Sequence, residues 1–134
     1  MENKYFTPDI EDFHVGYECE IYENEQYVSY VISHIIVGGN TRIDIPDGRH
    51  WSIQNKLRVP YLTKEQIEAE GWKYLSEGYT EHQAFYKDDF QMSCFYDKHL
   101  LKIIKKESLK TIVLYQGSCR CINDLKKIIK LLGI

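Results

Sequence analysis

The sequence of 134 residues lacks long apolar runs and lacks an export signal. No stretch approaches the roughly 20 apolar residues that span a bilayer. The first residues, MENKYFTPDIEDF, are polar and acidic, which is not the pattern of a signal peptide. We therefore expect a cytoplasmic protein without membrane contact, whose mature form starts near Met1.

The sequence also lacks the short motifs that carry common chemistries. It has no G-x-S-x-G, no Walker A and no G-x-G-x-x-G, and its five histidines form no H-E-x-x-H. The adjacent carboxylates of Asp88 and Asp89 could hold a divalent ion, but such a pair is more typical of a solvated turn. A hydrolase fits poorly, and we predict a protein that is not an enzyme and that needs no cofactor.

The four cysteines, Cys19, Cys94, Cys119 and Cys121, show no spacing typical of a disulfide framework. Without an export signal they should stay reduced. Cys119 and Cys121 stand two apart and lack the second pair that a zinc site usually needs. We expect buried thiols and no metal.

What the sequence does contain is typical of one globular domain over residues 1–134. Hydrophobic residues make up 43% and charged residues 28%, which is far from the composition of a disordered chain. Eleven tyrosines, with five phenylalanines and two tryptophans, favour strands over helices. An all-helical protein is therefore a poor fit.

The net charge of −3 hides an asymmetry along the chain. Residues 1–97 hold eight basic and eighteen acidic side chains, whereas residues 98–134 hold nine and two. One interpretation is that the lysines lie on solvated faces near the acidic N-terminal hairpin. The other is a basic anion-binding face or a head-to-tail contact between subunits. Because complementary patches can meet in a neighbouring copy, we expect a homo-oligomer, most simply a dimer.

Two short helices are predicted from their end signals. Thr63 and Gln66 match a capping box, which predicts a helix over Thr63 to Glu70 that ends at Gly71. A second helix is predicted over Asn123 to Leu132, with Asn123 as the N-cap. Its apolar stripe has helical spacing and its C-terminal end is marked by Gly133. The stripe residues are Leu125, Ile128, Ile129 and Leu132.

The rest of the chain alternates with the period of a strand. Phe13 to Tyr22 predicts a half-buried strand, and Tyr27 to Val37 predicts its hairpin partner. Turns are predicted at Gly38-Gly39-Asn40 and at Pro46-Asp47-Gly48. The later strands are Phe90 to Tyr96, Leu100 to Lys106 and Thr111 to Gln116. We predict an α+β fold, with one mostly antiparallel meander sheet of six to eight strands and the C-terminal helix packed on it.

A resemblance to a protein family is carried by three segments. They are RVPYLTKEQIEAEGWK, the opening YFTPDIEDFHVGYECE and the closing LKKIIKLLGI. Together they resemble a group of small uncharacterised proteins encoded in Bacteroidetes genomes and in their phages and prophages. The resemblance covers most of the chain and implies a shared fold, a phage-like gene neighbourhood and, for a phage gene, the host cytoplasm. It transfers no catalytic residue. Where the group has a Ser-type cap before the final helix, this chain has Asn123.

A candidate ligand site is suggested by a concentration of arginines. Only four arginines occur against thirteen lysines, and three of them fall between residues 42 and 58. The candidate residues are Arg42, Arg49, His50, Trp51 and Arg58. Guanidinium groups bind phosphate bidentately and indole offers a stacking face, so the group could hold a nucleotide. The alternative, which the sequence favours, is that these arginines pair with the abundant N-terminal carboxylates.

Three function classes follow from these observations. The first is a non-enzymatic phage-type accessory protein that sequesters a nucleotide-like anion or a host defence protein. The second is a nucleic-acid-binding protein that uses the basic C-terminal third, although the acidic overall balance argues against strong phosphate attraction. The third is a structural or assembly protein.

Overall fold

The computed structural model describes residues 4–36, 42–52, 56–77 and 82–134. The chain divides into two compact units, Met1–Tyr61 and Leu62–Ile134. The expectation of a single domain stays a prediction. In the described ranges, no helix is long and apolar enough to cross a membrane.

Two antiparallel sheets are found in the first unit. Its strands are β1 (Tyr5–Phe6), β2 (Glu18–Glu23), β3 (Gln26–Val31), β4 (His34–Ile36), β5 (Arg42–Asp44), β6 (His50–Ser52) and β7 (Leu57–Pro60). A short 3₁₀ helix, Ile10–Asp12, lies between β1 and β2. The four-stranded sheet has the order β1-β7-β2-β3, and the three-stranded sheet has the order β4-β5-β6. The buried apolar residues of this unit lie mainly on these strands and include Ile21, Ile43 and Val59.

The chain passes from the first sheet to the second between β3 and β4. The amide of Ile32 donates to the carbonyl of Tyr17, beside β2. The next amide, that of Ser33, donates to the carbonyl of Asp44 on β5. The predicted long strand from Tyr27 to Val37 is therefore two strands, because consecutive backbone groups are paired with different sheets.

The second unit is an uninterrupted antiparallel meander with two helices. Its strands are β8 (Lys73–Glu77), β9 (Gln83–Lys87), β10 (Phe90–Phe95), β11 (Leu100–Glu107) and β12 (Lys110–Ser118), and its helices are α1 (Lys64–Ala69) and α2 (Ile122–Leu132). The sheet has the order β12-β11-β10-β9-β8. One hydrophobic core joins residues of both helices to the sheet, including Ile67, Phe85, Met92, Ile103 and Leu125.

The α+β class, the mostly antiparallel pairing and the two α-helices are confirmed for the described residues. The prediction of one sheet of six to eight strands is wrong, because the strands form three separate sheets. In the first unit β7 pairs between β1 and β2, so a strand from late in the unit interrupts the expected meander. The predicted turn at Gly38-Gly39-Asn40 lies outside the described residues.

Helix α1 confirms its predicted ends. The hydroxyl of Thr63 accepts from the amide of Gln66 at 3.3 Å, and the side chain of Gln66 accepts from the amide of Thr63 at 3.1 Å. This reciprocal pair is the predicted capping box. Gly71 has φ +92°, the left-handed conformation that ends many helices.

Helix α2 begins one residue earlier than the sequence predicts, and the prediction of Asn123 as the N-cap is wrong. The N-cap is Cys121, which makes no side-chain capping bond. Instead the carboxylate of Asp124 reaches back and accepts from the amide of Arg120 at 2.9 Å. Asn123 lies in the first turn and is only 4% exposed. The predicted end is confirmed, since Gly133 has φ +72° and Ile134 donates to the carbonyl of Ile129.

The docking of α2 can be tested at Ile128, which is 7% exposed in the hydrophobic core. We expect Ile128→Asp to lower the free energy of unfolding by more than about 4 kcal/mol, because it buries an unpaired charge. The control is Leu131→Asp on the same helix, where the side chain is 78% exposed. The control should change stability by about 0.5 kcal/mol or less. Thermal and urea unfolding measure both, and a parent-like melt for Ile128→Asp would contradict the docking.

A second stability prediction concerns the hairpin turn between β2 and β3. Asn24 and Glu25 both have positive φ, +48° and +66°, as in a type I′ turn. Glutamate is strained there, whereas glycine is not, so Glu25→Gly should stabilise the protein by about 0.5–1 kcal/mol. Gln26→Gly, one residue later in β3, should destabilise it by a similar amount. Equal effects of the two substitutions in urea unfolding would show that the turn strain is absent.

Candidate functional site

Arg49 lies at the centre of an aromatic and acidic cluster in the first unit. The predicted turn at Pro46-Asp47-Gly48 is present, and Gly48 has φ +92°. The carboxylate of Asp47 accepts from the amide of Arg49 at 2.9 Å and from its Nε at 2.7 Å. The backbone bond is the main reason why the pKa of Asp47 is lowered. The turn therefore fixes both the backbone and the guanidinium of Arg49.

Side chains from two sheets complete this cluster. The guanidinium carbon of Arg49 lies 5.2 Å from the ring centre of Tyr30 on β3 and 5.5 Å from that of Trp51 on β6. The two rings are 5.1 Å apart. Glu23 on β2 accepts from the Tyr30 hydroxyl, which raises the pKa of Tyr30, and lies 3.4 Å from Arg49. We call Glu23, Tyr30, Asp47, Arg49 and Trp51 the Arg49 patch.

Arg58 occupies a different environment, in the four-stranded sheet. Its guanidinium carbon lies 3.6 Å from the ring centre of Tyr5 and 3.7 Å from that of Tyr27. Its Nε donates to Glu20 at 2.7 Å. These contacts join all four strands of the sheet, because each strand contributes one residue: Tyr5 from β1, Arg58 from β7, Glu20 from β2 and Tyr27 from β3. We call these four residues the Arg58 clamp.

Arg42 makes its ion pair outside both groups. Arg42 donates to Asp44 on its own strand at 3.0 Å. Strand alternation places both on the face of the three-stranded sheet opposite to Ile43, whose cross-strand partner is Trp51. His50 lies on β6 opposite Asp44, and its side chain is outside the described part of the structure.

Of the five predicted site residues, the structure brings Arg49 and Trp51 into contact and places Arg42 and Arg58 elsewhere. Each of these arginines has a carboxylate partner. The partners of Arg49 and Arg58 include the N-terminal carboxylates Glu23 and Glu20, whereas Arg42 pairs with Asp44 on its own strand. Sequence reasoning missed Tyr30 and Glu23, which reach Arg49 only because β2 and β3 fold beside β6. No local pattern in the sequence could have found them.

The second unit has an open groove of about 580 Å³ beside the end of β12. It is lined by Tyr115 and Ser118 from the strand side and by Asp124, Lys127, Ile128 and Leu131 from α2. Arg120 also lines it and lies 3.5 Å from the carboxylate of Asp124. Sequence reasoning did not predict this groove.

The lysines of the C-terminal third do not form one stripe. Lys102 and Lys106 lie on the sheet face opposite to Leu101 and Ile103, which point into the core. The lysines of α2 lie on the helix side of the sheet instead. A phosphate backbone would therefore meet the basic side chains on two separate faces.

The four thiols are buried and poorly suited to nucleophilic chemistry. Burial raises the pKa of Cys19 and of Cys94 to about 12 and also raises those of Cys119 and Cys121. Thiols with raised pKa values stay protonated at neutral pH and react slowly. Among the described residues, no group of three or more His, Cys, Asp or Glu side chains could hold a metal ion.

Comparisons with known proteins give no match to this chain among family models, curated proteins or solved structures. The resemblance to phage and prophage proteins of Bacteroidetes stays an expectation.

Arg42 and Arg58 lie outside the Arg49 patch, and substitutions there test whether each arginine stabilises the fold or is available to bind a ligand. Arg58→Ala should lower the free energy of unfolding by about 1.5–3 kcal/mol, because it removes two ring contacts and an ion pair. Arg58→Lys should retain only part of this stability, since an ammonium group lacks the planar hydrogen-bonding geometry of a guanidinium. Arg42→Ala, which removes a half-exposed pair, should cost about 0.5 kcal/mol or less in urea unfolding. A stable Arg58→Ala protein would leave Arg58 available as a ligand contact.

Proposed function

We propose that this chain is a non-enzymatic accessory binding protein of the phage type that the resemblance implies. Its partner in this proposal is a protein of the host cell, such as a defence protein. The observation that carries the proposal is the Arg49 patch. There the side chain of Arg49 is 52% exposed, and its guanidinium lies against a tyrosine and a tryptophan ring.

The composition of the patch favours a protein partner. Tryptophan, tyrosine and arginine are the residues that contribute most often to the energetic centre of protein interfaces. In the Arg49 patch the three side chains are already held by each other, by Asp47 and by Glu23. Since little side-chain freedom would be lost on binding, the patch is preorganised for association.

A nucleotide-like ligand is a weaker candidate for this patch. Two carboxylates, Glu23 and Asp47, surround a single guanidinium, so the local charge does not attract phosphate. A phosphate would have to displace the Asp47 bond at 2.7 Å before it could use the fork of Arg49. An aromatic side chain of a partner would not have to displace that bond.

Nucleic acid is disfavoured as a partner by the placement of the lysines. Phosphate-backbone binding needs a continuous basic surface, and the C-terminal lysines lie on two faces of the second unit. The homo-oligomer expected from the charge asymmetry remains part of the proposal. Light scattering at several concentrations tests it.

The protein partner can be sought by site-specific crosslinking in Bacteroidetes cells. We expect p-benzoylphenylalanine in place of Trp51 to capture a defined host protein on irradiation. The same photoreactive residue in place of Leu109, which is fully exposed in the second unit, should not capture it. With the captured protein purified, Arg49→Ala should weaken the complex at least about tenfold, or about 1.4 kcal/mol, whereas Arg42→Ala should not.

Calorimetry with cyclic and linear nucleotides tests the alternative that the patch binds a nucleotide-like ligand. The parent should bind none of them, and the Arg49→Ala, Arg58→Ala double variant should not differ from it in heat of binding. Saturable nucleotide binding that the double variant loses would replace the protein partner with an anionic ligand. Equal capture at positions 51 and 109 would also contradict the proposed surface.

A further inference from the structure

Strand β12 is a long edge of the five-stranded sheet. Among the described strands it pairs only with β11. From Thr111 to Cys119 the chain carries nine successive uncharged residues without proline. An edge of this kind presents backbone N–H and C=O groups to which a further strand can bind. Past Gly117 three of these groups already have partners: the Ser118 carbonyl accepts from the Tyr115 hydroxyl, and the amide and carbonyl of Arg120 bond to Asp124 and Leu62. The part open to a further strand is therefore the part before Ser118.

The opposite edge of the same sheet shows how such pairing is usually prevented. Strand β8 has five residues, with Lys73 and Glu77 at its ends, and its register is irregular between Tyr74 and Ser76. Short length, charges and bulges all discourage edge pairing. Strand β12 has one register shift, opposite Ile103 and Ile104, and regular pairing from there to its C-terminal end.

The groove described above lies along this regular part of β12. Tyr115 pairs with Ile103, so its side chain lies on the helix side of the sheet. Its hydroxyl donates to the carbonyl of Ser118 at 2.6 Å. A Cβ atom at Gly117 would come within 3.2 Å of that hydroxyl, so the glycine leaves room for the ring. The ring and α2 thus form the two walls of the groove.

We propose that β12 and this groove bind an extended acidic peptide segment of a partner protein by strand addition. In an added strand every second side chain would point to the helix side and enter the groove. Apolar side chains there would contact Ile128 and Leu131, which is 78% exposed. An acidic side chain would meet Lys127, which makes no ion pair with any described residue.

The charge of the groove favours an acidic peptide over a second copy of the chain. The one acidic residue that lines the groove, Asp124, lies beside Arg120, so Lys127 leaves the groove basic. A second copy that adds its own β12 would supply residues Thr111 to Ser118, which carry no acidic side chain that could meet Lys127. This surface consists of residues of the second unit and shares none with the Arg49 patch, so either proposal can fail without the other.

The probe is a synthetic library of capped heptapeptides in which every second side chain, on the face that would enter the groove, is apolar except for one glutamate or one lysine, and the intervening side chains are uncharged. We expect the acidic members to bind the full-length protein and the basic members not to bind. Lys127→Glu should weaken binding of the acidic peptides about tenfold. The matched control is Lys130→Glu, the same charge reversal at an exposed position of α2 outside the groove, which should leave affinity within about twofold.

Hydrogen exchange locates the bound peptide. Amides of β12 should become protected when an acidic peptide is added, while those of the β8 edge should not change. Absence of peptide binding, equal effects of Lys127→Glu and Lys130→Glu, or protection elsewhere would overturn the proposal. Protection of β12 without peptide, together with a mass that rises with concentration, would show a second copy on the edge and would also overturn it.

Discussion

The second unit depends on the burial of the apolar stripe of α2 against one face of its sheet. An eleven-residue helix is marginal alone in water, and the sheet alone would expose Phe85, Met92 and Ile103. Leu125 is fully buried in this contact, which contributes about 2 kcal/mol for that side chain. Because α2 covers a face of the sheet and not its edge, the same packing that stabilises the unit leaves β12 available for pairing.

The features that could be predicted from the sequence are those that depend on residues only a few positions apart. The capping box of α1 is local, since Thr63 and Gln66 satisfy each other's backbone groups. The start of α2 shows the limit of this approach. The N-cap is Cys121 and not Asn123, which is buried in the first turn of the helix. The spacing of residues in the sequence does not indicate which residue of the first turn becomes buried.

Strand pairing in the first unit depends on contacts between residues far apart in sequence. The amides of Ile32 and Ser33 are adjacent, yet they donate to Tyr17 and Asp44 in different sheets. The candidate site also depends partly on contacts between residues far apart in sequence. Arg49 and Trp51 are two residues apart, so their contact could be predicted from the sequence. Tyr30 lies on β3, in the other sheet of the unit, and contacts them only in the folded structure.

The arginines and the lysines of this chain lie in different environments. Residues 1–61 hold five basic and ten acidic side chains, and residues 62–134 hold twelve and ten. All four arginines lie beside carboxylates, whereas most lysines are on exposed faces. A planar guanidinium held by a carboxylate and aromatic rings offers a fixed shape, which suits a single complementary surface. A solvated ammonium offers charge without fixed geometry, which suits an extended acidic segment whose register is set by backbone hydrogen bonds.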